Sequence, residues 1–175
     1  MSDQDVERPE DLSTLPRRRA VRVVLLHETR GLLLLPTSDP QRARRKPWWE
    51  LPGGGLDLGE DLAAAAVREL DEELGVTLPR AGIGEASWTR TVVYPRADGW
   101  WWQDESVVRL DVGDDLVFDA SGRTPEEQQA HGAPRWWSVR EVCGSDERFF
   151  PASLPTLLPR FLDGERLAEG PTLFW

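Results

Sequence analysis

Residues Gly54–Val76 read GGLDLGEDLAAAAVRELDEELGV. From Asp61 to Leu74 no Gly or Pro interrupts the chain, and Leu62, Ala66, Leu70 and Leu74 recur every four residues, the spacing of one helix face. Gly75 stands where a left-handed residue ends a helix. On that helix Glu69, Glu72 and Glu73 fall at i, i+3 and i+4, which puts their Cβ atoms about 5–6 Å apart. Three like charges this close repel, and a divalent cation removes the repulsion. Dense carboxylate oxygen is what hard ions such as Mg²⁺ or Mn²⁺ select. An acidic helix face is equally what a solvated surface looks like, so the helix alone does not decide. Gly53-Gly54-Gly55 immediately before it favours a ligand, because glycines let the backbone approach one closely. The glycines make neither G-x-G-x-x-G, since Leu58 takes the last position, nor a P-loop, since no Gly-Lys-Ser/Thr follows.

On the N-terminal side, Val21–Leu26 and Leu32–Leu35 predict a buried antiparallel pair of strands around the turn Glu28–Gly31. The loop TSDPQRARRKP at 37–47 is the densest basic patch of the chain. On the C-terminal side, 83–95 and 100–112 read as two strands, Arg135–Ser138 as a short one followed by a helical turn at Val139–Val142, and Leu154–Leu162 as a closing helix. Residues 113–133 are polar and turn-rich.

The segment 54–76 is similar to the box of the Nudix hydrolases, the MutT-like family: G-x5-E-x7-R-E-U-x-E-E-x-G-U, with U apolar. Gly54, Glu60, Arg68, Glu69, Leu70, Glu72, Glu73, Gly75 and Val76 fill its fixed positions without an insertion. Trp49-x-Leu51-Pro52-Gly53-Gly54 leading in and the downstream Trp136-Trp137 strand also resemble that family. The resemblance covers residues 18–163, with 1–17 as a loose N-terminal tail and 164–175 as a C-terminal extension. It implies an α/β/α sandwich around a mixed sheet. It also implies Mg²⁺- or Mn²⁺-dependent hydrolysis of a nucleoside diphosphate linked to another moiety. Carried over by position, Glu69, Glu72 and Glu73 are the metal ligands. Glu60 and Arg68 form an ion pair fixing loop to helix, with Glu60 before the first turn and reaching across, and Gly54 permits the loop conformation. The water-activating base is Glu73 in the box, or Glu126 or Glu127 downstream. Thr124-Pro125-Glu126-Glu127 is also an ordinary helix start.

Substrate contacts are sought in Arg42, Arg44, Arg45 and Lys46 and in the cluster Trp100-Trp101-Trp102, of which Trp102 is the stacking candidate; a solvated loop and core packing are the plainer alternatives. His27 and His131 stand alone and receive no role. ADP-ribose, dinucleoside polyphosphates and nucleoside triphosphates all remain open as substrates. The competing function is a Nudix-fold module that binds a nucleotide without cleaving it; such relatives usually lose box glutamates or the arginine, which are all kept here.

The chain has 175 residues, a length that favours one domain. Lys+Arg number 21 against 31 Asp+Glu, a net charge of −10 that argues against general nucleic-acid binding but not against a small phosphorylated substrate neutralised by a metal. The single cysteine, Cys143, excludes an internal disulfide and a cysteine-built zinc site. The acidic N-terminus lacks the apolar core of a signal peptide and no apolar run is long enough to span a membrane, so a cytoplasmic protein is expected. Family members are often homodimers, and the Trp-rich strands would suit such an interface.

Overall fold

The run Val21–Leu26 becomes the middle of strand β1 (Arg17–His27) in the computed structural model of the chain, which describes residues 9–38, 46–96, 98–119, 121, 123 and 125–174. β1 turns back into β2 (Gly31–Thr37), antiparallel, with Leu26 opposite Leu32. Its other edge carries β5 (Gly99–Val112), parallel and in register from Arg17 opposite Trp102 to His27 opposite Val112. A strand flanked on both edges and covered on both faces needs apolar residues at nearly every position, which is why β1 reads as a continuous run.

Among the described residues the mixed sheet has eight strands. Its order is β7 (Phe149–Phe150), β3 (Trp48–Glu50), β2, β1, β5, β4 (Trp88–Arg96) and β8 (Leu167–Leu173), with β6 (Arg135–Trp137) paired to β2. Strand pleating sends Val21, Val23 and Leu25 to one face and Val24 to the other. The first face packs against α1 (Leu62–Leu74) through Ala65, Ala66, Leu70 and Leu74. The second packs against α4 (Leu154–Leu162) and α3 (Val139–Gly144) through Trp88, Val107, Val142, Leu158 and Phe161. This is the expected α/β/α sandwich. A remaining helix, α2 (Pro125–Ala130), precedes β6. Among the described residues no helix is long and apolar enough to cross a membrane.

The helix ends follow from their cap residues. The Asp61 side chain accepts from the Ala64 N–H at 2.8 Å, and Gly75, at φ 66°, returns its N–H to the last turn. The C-terminal extension is part of the sheet: β8 adds parallel to β4, with Trp88 opposite Leu167 and Val93 opposite Leu173.

Candidate active site

The loop from Leu51 to Glu60 is clamped between β1 and α1. Val23 and Val21 donate backbone N–H groups to the carbonyls of Pro52 and Gly54, each at 2.9 Å, and Leu56 returns one to Arg19 at 3.0 Å. Gly53 has φ 125°, a left-handed value that favours glycine, and its N–H donates to Glu73 Oε2 at 2.8 Å. Gly54 serves by its size: a Cβ there would lie 2.5 Å from both carboxylate oxygens of Glu69.

Arg68 ties this arrangement together. Its guanidinium takes both oxygens of Glu60, at 3.1 and 2.9 Å, and donates to the Gly55 carbonyl at 2.7 Å. It also reaches Glu69 at 2.9 Å and Glu72 at 3.0 Å. Glu60 sits before the helix cap and reaches across, as the spacing of eight residues predicts, and also accepts from the Asp57 N–H. The planar five-donor fork of arginine is what allows so many acceptors to be met at once.

Glu69 and Glu73 are buried, and Glu72 is half-exposed. Burial pushes the Glu69 carboxyl above its usual range although Arg68 opposes the shift. Burial pushes Glu73 much further, with Glu50 and Glu69 adding to the effect against the Gly53 N–H and Arg22. Arg22 lies among these acids. Its guanidinium donates to Glu105 at 3.2 Å and to the carbonyls of Leu51 and Gly53 at 3.2 and 2.7 Å. Burial alone would favour the neutral form of Arg22, but Glu105, Glu50 and Glu73 outweigh it and hold the cation firmly charged.

Among the described residues no group of three His, Cys, Asp or Glu side chains is arranged to hold a metal as it stands. The donor chemistry fits a hard divalent ion nonetheless: Glu69, Glu72 and Glu73 offer only carboxylate oxygen, and two of these groups are desolvated neighbours whose ionisation a cation would favour. The Arg68 guanidinium already neutralises Glu69 and Glu72 from one side.

The downstream candidates Glu126 and Glu127 fall on α2, and their side chains lie outside what the structure describes. The segment after α2 does reach the site, through His131. The His131 ring is 3.0 Å from Thr37 Oγ1, and 3.8 Å from both Glu50 Oε1 and Glu73 Oε1. Arg123 secures that segment by donating to the carbonyls of Glu73, His131 and Gly132. Arg42, Arg44 and Arg45 lie outside the described residues, and Lys46 is exposed.

Beside Glu50 opens a cleft of about 190 Å³, lined by Arg18, Arg22, Trp48, Glu50, Val92, Tyr94, Arg96, Gln103, Phe150 and Phe174. Trp102 does not join it. As the neighbour of Gln103 on β5 it points to the opposite face, where it donates to Asp104 at 2.7 Å and lies 4.5 Å from the Arg17 guanidinium. Sequence reasoning missed Arg22, Glu50, Arg18 and His131. Arg22 carried a signal, being a lone cation inside the β-branched run Val21–Leu26. Glu50 carried a weaker one, an acid in the turn-bound stretch Trp49–Pro52. His131 carried none.

The chain matches the NUDIX domain over residues 16–161. It is 36% identical over 75 residues to the RNA pyrophosphohydrolase of Dinoroseobacter shibae, covering 43% of this chain and 44% of that protein. It is 42% identical over 67 residues to the RNA pyrophosphohydrolase of Acidiphilium cryptum, covering 37% and 39%. The chain thus spans under half the length of these curated relatives. Among solved structures it resembles the MutT protein of Methanosarcina mazei, with a TM-score of 0.61 and 21% identity over 86% of this chain and 96% of that one. It also resembles an Ap4A hydrolase of C. elegans in a binary complex, with a TM-score of 0.55 and 22% identity over 84% and 98%. At such identity the solved structures speak for the fold.

Proposed function

We propose, from the premise that this chain belongs to the NUDIX family, that it is a divalent-metal-dependent pyrophosphohydrolase. Its substrate in this reading is a nucleotide-derived diphosphate. Glu69, Glu72 and Glu73 would hold Mg²⁺ or Mn²⁺, which would neutralise the diphosphate and acidify a water. The observation that carries the reading is the pairing of two buried carboxyls, Glu69 and Glu73, with a loop whose Gly53 N–H and side-chain-free Gly54 face them.

The chain's own residues have separable tasks. Arg68 and Glu60 fix the loop against the helix. Arg22 and Arg18 present cations toward the cleft that a diphosphate would enter. Glu73 takes the water proton, with Glu126 or Glu127 of α2 as the alternative acceptor. ADP-ribose, dinucleoside polyphosphates and nucleoside triphosphates are the small-molecule candidates. The curated relatives named RNA pyrophosphohydrolase add RNA to the candidates, despite the acidic chain.

Product analysis on this panel with Mg²⁺, Mn²⁺ or EDTA tests the proposal. Metal-dependent release of the two halves of one diphosphate is expected. Thermal stabilisation by a nucleotide with no cleavage of any panel member would move the assignment to a non-catalytic nucleotide-binding module.

A further inference from the structure

We infer that the C-terminal strand β8 completes the substrate cleft, with Phe174 as the wall against which a planar base of the substrate stacks; calling the ligand a substrate rests on the pyrophosphohydrolase reading. The region matched to the NUDIX domain ends at residue 161, so this wall comes from chain beyond it. β8 pairs with β4 through Leu173, and the pairing runs one residue further, the Phe174 N–H donating to the Val93 carbonyl at 2.9 Å. That bond fixes where the Phe174 ring can lie.

The ring stands edge-to-face with Trp48, centroids 5.2 Å apart at 72°, and with Phe150, 4.6 Å apart at 67°. Trp48 is buried and Phe150 and Phe174 are half-buried; all three border the cleft. Trp88, by contrast, is fully buried against Phe161, as a ring used for packing should be. A clustered aromatic wall beside an open volume is a stacking surface.

The cleft is lined as well by Arg18, Arg22 and Arg96, with Glu50 among them. The Arg18 guanidinium carbon lies 6.0 Å from the Tyr94 ring centroid, and the guanidinium approaches within 3.3 Å of where a Gly55 Cβ would stand. Among the described residues the buried Arg18 Nε has no hydrogen-bond partner. The cleft therefore joins an aromatic wall to cations, of which Arg18 abuts the loop over Glu69. A nucleoside phosphate has the same order: planar base, sugar, phosphate. Bound this way, its phosphate faces the glutamates and its base faces Phe174.

Calorimetric titration of the full chain in EDTA, with AMP, GMP, CMP and UMP each compared with ribose 5-phosphate, tests this without requiring turnover. Wild type is expected to bind at least one nucleotide more tightly than ribose 5-phosphate. Phe174→Ala should weaken that nucleotide about tenfold, the loss expected for one base–aromatic contact, and leave ribose 5-phosphate unchanged. Phe174→Tyr should restore the difference, while Arg18→Gln should weaken both ligands. If Phe174→Ala lowers the melting temperature, Phe174→Leu makes the same comparison with most of the volume kept. Equal nucleotide binding by wild type and the ring-less variants would overturn the inference, as would a wild type with no preference for any nucleotide over ribose 5-phosphate. The hydrolase reading fails separately, by absence of metal-dependent turnover.

Discussion

Gly54 and Glu69 share one space: a Cβ on the glycine would stand 2.5 Å from both oxygens of the carboxylate. The neighbouring Gly53, not Gly54, supplies the left-handed backbone. Gly54→Ala must therefore push either the loop or Glu69 aside. The expected cost is about 1–3 kcal/mol of stability, as for overpacking elsewhere, with Mg²⁺ affinity weakened at the same time. Thermal melts and Mg²⁺ titration of the variant check both. Unchanged metal affinity would show that Glu69 is not where the ion sits.

Arg68→Lys tests the clamp. Arg68 meets Glu60, Glu69, Glu72 and the Gly55 carbonyl together, and a lysine ammonium cannot span them. A loss of about 1–2 kcal/mol is expected, together with a fall in kcat/KM of about tenfold or more as the loop shifts. Equal losses in Glu60→Gln and in the double variant would identify Glu60 as the partner that matters.

Glu105→Gln probes the charge network behind the site. Glu105 is fully buried, 3.2 Å from Arg22 Nε on one side and 3.2 Å from Arg90 Nη1 on the other. Removing its charge takes from two largely buried guanidinium groups the carboxylate they share, leaving Arg22 to Glu50 and Glu73 and Arg90 to Glu169 at 3.9 Å. Urea unfolding should show a loss of about 3–5 kcal/mol with an unchanged m-value. A loss below about 1 kcal/mol would mean that solvent reaches these groups.

The buried box acids predict a pH dependence. Burial raises the Glu73 carboxyl well above the usual 4.5 of a glutamate, and Glu69 moves in the same direction. A carboxyl whose folded value exceeds its unfolded value favours the fold when protonated. Its contribution is complete below pH 4.5 and is lost as pH rises through the raised folded value. In EDTA, Glu73→Gln should therefore melt above wild type at pH 8, by about 3 °C or more, and converge with it toward pH 4.5. Parallel profiles at all pH values would show that Glu73 is not strained by burial.

Local patterns made much of this legible. Asp61 and Gly75 bound α1 as their chemistry predicts, Leu154–Leu162 is the closing helix, and the Glu60–Arg68 reach follows from their spacing. What escaped depends on long-range pairing. β3 and β7 have three and two residues, too few for a period to show. β8 reads LAEGPTL, with Gly and Pro and with only Leu167 buried, because an edge strand needs little apolar surface. Arg22 finds Glu105 across 83 positions, and His131 meets Thr37 across 94, distances at which one sequence carries no pairing signal. Trp102 drew attention by its abundance of neighbours, but strand alternation put Gln103, not the tryptophan, at the cleft.

The most direct measurement is turnover of the best panel substrate by wild type and Glu73→Gln, side by side, at saturating Mg²⁺ and in EDTA. The account predicts cleavage by wild type that EDTA abolishes and a loss of at least about 100-fold in the variant, the scale of a missing proton acceptor. Wild-type cleavage that survives EDTA, or a Glu73→Gln enzyme as fast as wild type, would contradict it.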